Sequence, residues 1–125
     1  MRIAPIAPLL ELALDGGRVA YQPGERLTGV ASWSADASLR AMELRLFWYT
    51  KGNGNSDLTV AEALPFENPS AADRRPFALT LPDAPCSFDG PLFSLTWALE
   101  LVALPAWEAA RTEIVVGAGG RAVRL

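Results

Sequence analysis

At 125 residues, half of them hydrophobic and a fifth charged, the chain has the composition of one ordinary globular domain. Such a length buries roughly 65–70% of the unfolded surface without metals or disulfides. The net charge of −3, a pI near 4.9 and a single lysine, Lys51, offer no basic face to nucleic acid or to an anionic membrane.

The N-terminal stretch MRIAPIAPLLELALDGG has an apolar run broken by Pro5, Pro8 and Glu11, unlike the uninterrupted core of a signal peptide. No apolar span of about 18 residues occurs, so membrane insertion is not expected. A soluble, cytoplasmic chain is the expectation, and Cys86, the only cysteine, agrees with a reducing compartment. The preference for Arg over Lys, with abundant Ala, is the composition of a GC-rich bacterial genome.

Period two then dominates, cut by turn residues. Leu10, Leu12 and Leu14 share one strand face, and Asp15-Gly16-Gly17 supplies a turn. Arg18 to Tyr21 is a short piece leading into Gln22-Pro23-Gly24-Glu25, a type II turn pattern. From Arg26 to Ser34, Leu27, Gly29, Ala31 and Trp33 face one way. Leu39 to Thr50 places Met42, Leu44, Leu46 and Trp48 on one face, with Glu43, Arg45, Phe47 and Tyr49 on the other. Lys51 to Asp57, KGNGNSD, reads as a polar glycine loop. Strands are expected at Leu58–Leu64 and Pro76–Leu81, separated by a soft segment from Glu67 to Arg75. After LPDAPCSFDG, the residues Phe93, Leu95, Trp97, Leu99 and Leu101 alternate with Ser94, Thr96, Ala98 and Glu100. Residues 105 to 110, PAWEAA, have room for one helical turn, Arg111 to Val116 is a last strand, and the tail GAGGRAVRL is a frayed end or an added short strand.

Seven or eight strands without an intervening helix predict an all-β fold, an antiparallel β-sandwich of one domain over residues 1–125 with its core at about 9–116. Two segments narrow this further. YQPGERLTG, with Pro23, Gly24, Glu25 and Gly29, and LPDAPCSFDG, with Leu81, Pro82, Pro85, Ser87, Phe88 and Gly90, together resemble the arrestin-like, immunoglobulin-like sandwich domains. The likeness implies a single-domain bacterial member whose scaffold serves protein–protein interaction. The long strand carries Trp97 where the family has tyrosine, and only Arg18 stands where signalling arrestins gather phosphate-sensing basic residues, so phosphoreceptor recognition does not carry over. On this reading Pro82 and Pro85 hold an extended crossing, Phe88 plugs the open end of the sandwich, and Ser87 or Asp89 bonds neighbouring amides. Gly90 takes a conformation closed to other residues.

The catalytic inventory is thin. Without histidine the usual triad base and the commonest zinc ligand are missing. Asp83 and Asp89 flank Cys86 and disfavour its thiolate. Asp83 with Asp89 and Glu62 with Glu67 read as solvated or turn-capping carboxylates, and they lack calcium-loop spacing. KGNGN lacks the order of a phosphate-binding loop and is a hairpin or loop signal. No catalytic, cofactor-binding or metal-binding residue is assigned, and no enzyme is expected. The expected function is a non-catalytic interaction, scaffold or adaptor module for an unknown protein partner, with a carbohydrate- or small-ligand-binding sandwich that stacks its ligand on Tyr49, Trp48 and Trp107 as the alternative. Trp33 and Trp97, in phase with leucines, belong to the core, whereas Tyr49, Lys51, Asn53, Asn55 and Trp107 form the candidate interaction surface. Because the family usually joins two sandwiches, a homodimer or a partner chain is expected to supply the missing contact.

Overall fold

Strict alternation puts one apolar face on each long strand, and two such faces must cover each other. The computed structural model describes residues 9–52 and 54–124, with only the backbone of Asn55, and shows that all-β sandwich. Its strands are β1 (Leu9–Leu14), β2 (Ala20–Tyr21), β3 (Arg26–Ser34), β4 (Ala41–Gly52) and β5 (Asn55–Phe66). They continue with β6 (Ala72–Thr80), β7 (Phe88–Asp89), β8 (Ser94–Leu104), β9 (Glu108–Val116) and β10 (Val123–Arg124). The smaller sheet runs β1-β3-β6, antiparallel throughout. In the larger, β4 lies between β5 and β8, and the far side of β8 is shared by β7 at Ser94–Leu95 and by β9 at Trp97–Ala103. Two short parallel pairs, β2 with β9 and β10 with β7, account for the strands beyond the expected seven or eight.

Leu27, Ala31, Trp33, Phe77 and Leu79 of the smaller sheet pack against Met42, Leu44, Leu46, Trp97, Leu99, Leu101, Ile114 and Val116 of the larger. Burying each large side chain contributes about 1.5–3 kcal/mol. Both core tryptophans also satisfy their indole N–H groups on loop carbonyls, Trp33 on Ser70 at 2.7 Å and Trp97 on Pro85 at 2.8 Å. The two segments that carry the family likeness meet directly. Gly24 N–H donates to Pro82 O at 3.3 Å, and Leu81 N–H to Glu25 O at 2.9 Å. Gly24, at φ 78, closes the turn from Gln22 to Glu25. The Glu25 carboxyl is held below its usual range by the Arg18 guanidinium and then by the Gln22 N–H.

Several expectations change. The polar glycine loop of KGNGNSD narrows to a hairpin, the other form its signal allowed: β4 and β5 stay paired to Gly52 and Asn55. The soft segment ends at Ala71, since β6 begins at Ala72, and the β8–β9 connection is a tight turn with no helical turn. Leu58, Val60 and Leu64 do not share a face, because the register shifts between Leu46, opposite Glu62, and Phe47, opposite Val60. Ala61 is thus bulged out, and the apolar residues before and after it turn to opposite sides. Phe93, expected in the core, is 50% exposed and precedes β8. Phe88 is half-buried and stacks on Phe93 with centroids 4.7 Å apart. Gly90 is required by space, since an added Cβ would lie 2.6 Å from the Phe88 ring.

Ser87 bonds a distant strand, not its neighbours. Its Oγ accepts the Val116 N–H at 2.9 Å, its own N–H donates to Val116 O at 2.7 Å, and its carbonyl accepts the Val123 N–H at 2.8 Å. Replacing Ser87 with alanine leaves a buried N–H without its acceptor, so the variant is expected to lose about 1–3 kcal/mol in urea unfolding followed by tryptophan fluorescence. Gly90→Ala is expected to lose about 1–2 kcal/mol, and most of that loss should disappear in a Phe88→Ala background, where the clashing ring is gone and only the Phe93 carbonyl oxygen, 3.2 Å away, stays close.

Candidate interaction face

The outer face of the larger sheet is set by the residues that alternate away from the core. On β4 these are Glu43, Arg45, Phe47, Tyr49 and Lys51. Across the ladder, Thr96 sits opposite Tyr49, Ala98 opposite Phe47, Glu100 opposite Arg45 and Val102 opposite Glu43. On β9, Glu113 is opposite Ala98 and Arg111 opposite Glu100. Register alone therefore places acid beside base and aromatic beside small residue.

Although it points outward, Phe47 is only 3% exposed. The Arg111 guanidinium lies over it, 4.9 Å from the ring centroid and 5.8 Å from that of Tyr49. Two hydrogen bonds, of 3.1 and 3.0 Å, hold that guanidinium on the Glu100 carboxylate. A cation over a ring at a wet surface contributes about 0.5–1 kcal/mol, and a half-exposed ion pair about 0–1 kcal/mol. Much of the value of Arg111 is therefore the apolar stem that covers Phe47. The Tyr49 hydroxyl donates to Glu113 at 2.8 Å, and the Lys51 ammonium lies 5.8 Å from the Tyr49 centroid. The hydrogen bond to Glu113, more than burial, raises the Tyr49 phenol above the ordinary tyrosine value.

At the other end of this face, Arg45 pairs with Glu43 at 2.7 Å and presents its guanidinium to Trp107 at 5.6 Å. Trp107 sits in the turn between β8 and β9, 66% exposed and at φ 58. The structure thus brings Tyr49 and Lys51 together and sets Trp107 apart. Arg45 and Tyr49 are four residues apart on β4, a separation of about 13 Å along a strand. Asn53 and the Asn55 side chain lie outside the described residues. Trp48 faces inward, packed against the core, so it cannot share a stacking platform with Tyr49.

Sequence reading missed a groove of about 580 Å³ that opens where β8 changes partner from β7 to β9. Phe88, Leu95 and Ile114 give it apolar walls, and Asp89, Glu113 and Arg124 stand at its polar margin. No local signal marks it, because it arises from two strands sharing one edge. Among the described residues no three of Cys, Asp and Glu group as metal ligands, and no helix is long and apolar enough to cross a membrane.

Tyr49 and Tyr21 are the only tyrosines. In a Tyr21→Phe protein, phenolate absorbance should therefore report Tyr49 alone and titrate above the ordinary value of 10.0. Glu113→Ala should bring it back down. The neutral phenol is the form the fold favours, so this contribution to stability is present below the unfolded tyrosine pKa and is lost as pH rises through the folded one.

No family model and no curated protein matches the chain. Among solved structures it is similar to Spo0M, a sporulation control protein from Bacillus subtilis, with a TM-score of 0.63 and 18% identity over 90% of this chain and 50% of that one. The chain thus spans about half the length of Spo0M. Looser likenesses join it to a beta-glucosidase from Listeria innocua, with TM-score 0.49, 11% identity, 94% of this chain and 16% of that one. Another is the alkylpurine DNA glycosylase AlkC from Pseudomonas fluorescens, with TM-score 0.45, 12% identity, 92% of this chain and 32% of that one. These two are too loose to bear on the chain, and the likeness to Spo0M speaks for the fold: an all-β sandwich with the same course of the backbone.

Proposed function

We propose that the chain is a non-catalytic interaction module, an arrestin-like scaffold that binds a protein partner through the Trp107 end of its outer face. The observation that carries this reading is Trp107 itself, two-thirds exposed and held in the left-handed region of backbone space. A bulky residue there costs about 1–2 kcal/mol relative to glycine. Stability alone would favour glycine at this turn, whereas an exposed indole beside a guanidinium is the kind of anchor that dominates protein interfaces. The likeness to Spo0M, described as a sporulation control protein, supports a regulatory role for such a scaffold. The single half-buried cysteine supports placing the module in the cytoplasm.

A small-ligand reading has one observation in its favour, the groove beside β7, whose volume falls in the range of ligand sites. Tyr49 stands at its rim through Glu113. That reading predicts a change in tryptophan fluorescence on ligand addition, because Trp97 follows the groove residues Leu95 and Thr96 on β8.

Trp107→Gly separates function from fold. The variant is expected to be more stable by about 1 kcal/mol, by relief of the backbone conformation. It is also expected to lose the protein that the wild type enriches in a quantitative pull-down from host lysate. Equal enrichment by both proteins would remove Trp107 from the interface and return the question to the groove.

A further inference from the structure

Two strands end the two sheets on the same side of the sandwich. β5 pairs only with β4, and β6 only with β3. They are joined by the five-residue connection Glu67–Ala71. The Phe66 ring at the end of β5 lies 5.5 Å from that of Trp33, which is opposite Asp73 at the start of β6, so the two strands extend side by side from this junction and the chain runs along them in opposite directions. From Ser56 to Ala63 every residue of β5 is exposed. Leu58 and Val60 are 58% and 49% exposed and point to the outer face. The charges differ between the edges. β5 carries Asp57 and Glu62 and no basic residue, whereas β6 carries Arg74 and Arg75 against one acid, Asp73. Asp73 pairs with Arg75 at 2.9 Å, and among the described residues Arg74 is exposed and has no ion pair.

We propose that these edges pair with those of a second copy of this chain. A two-fold axis parallel to the strands, placed beside this side of the sandwich, turns the larger sheet of one copy toward the smaller sheet of the other. It sets β5 against β6 of the partner and β6 against its β5, both antiparallel, because the axis preserves strand direction. The acidic edge then meets the net basic edge twice, and the unpaired backbone groups of four edge strands find partners in one closed assembly. Leu58 and Val60 come to lie on the same continuous outer face as Pro76 and Ala78 of the second copy. This assembly does not depend on the Trp107 interface, which lies in the β8–β9 turn away from both edges.

The chain tested is the full protein with Cys86→Ser, so that any added thiol is the only one. Sedimentation at about 100 μM should give a species of twice the monomer mass, dissociating on dilution by mass action. Arg74→Glu, which reverses the net charge of β6, should raise the dimer dissociation constant about tenfold at low salt. Added salt should weaken the wild-type dimer in the same direction. Leu58→Cys or Val60→Cys proteins should form disulfides on mixing with Ala78→Cys or Thr80→Cys proteins, since only paired strands bring Cα atoms within reach of about 4.4–6.8 Å. All these positions are exposed, and circular dichroism confirms that each variant is folded. A folded monomer at that concentration, or cross-links between β5 cysteines alone, would overturn the proposal. The acidic residues and the Ala61 bulge would then act as edge protection.

Discussion

Ser87 is the one polar residue buried among the described residues, and it holds the structure together where the pattern of alternation stops. Upstream the chain crosses between the sheets through Pro82 and Pro85, with no ladder to guide it. Downstream the last long strand must end beside that crossing. Ser87 uses its N–H, its hydroxyl and its carbonyl to join the crossing to β9 and β10, and the Trp97 indole fixes the same segment through Pro85 two residues earlier. Buried backbone groups must find partners. Here a single hydroxyl does for β9 what a further strand would otherwise do.

The outer face follows a different logic. Its two arginines are already committed, Arg45 to Glu43 and Trp107, and Arg111 to Glu100 and the ring of Phe47. Each contact is weak alone, but together they hold long side chains in one arrangement. For the proposed interaction module, that would lower the ordering cost of association. Trp107 differs because its indole remains largely in water, and the turn that carries it is short enough to fix its direction.

Much of this was readable from residue order. The inward faces of β1, β3 and β4 and the core positions of Trp33 and Trp97 follow from period-two spacing, because a residue with a covered side must repeat every second place. The YQPGE and LPDAP segments were legible as marks of a likeness, but their direct contact is seen only in the structure. Most of what could not be read depends on partners far away in sequence. The hairpin tip at Gly52 and Asn55 has the glycine-rich, polar composition of an open loop, so it mimics one. Ser87 looks like a local turn residue until its partner Val116 is known. The groove, and the separation of Trp107 from Tyr49, depend on which strands share the edge of β8.

The bulge at Ala61 has a consequence for how the chain tolerates change in length. β5 is written in two frames: Leu58 and Val60 belong to the outer frame, Leu64 and Phe66 to the inner, and Ala61 is the shift between them. Removing Ala61 alone leaves every other pairing in place, whereas removing Thr59 or Ala63 draws Ala61 into the ladder and turns over the one residue between, Val60 or Glu62. Of the positions along this edge, the fold can spare that residue and keep both faces as they are.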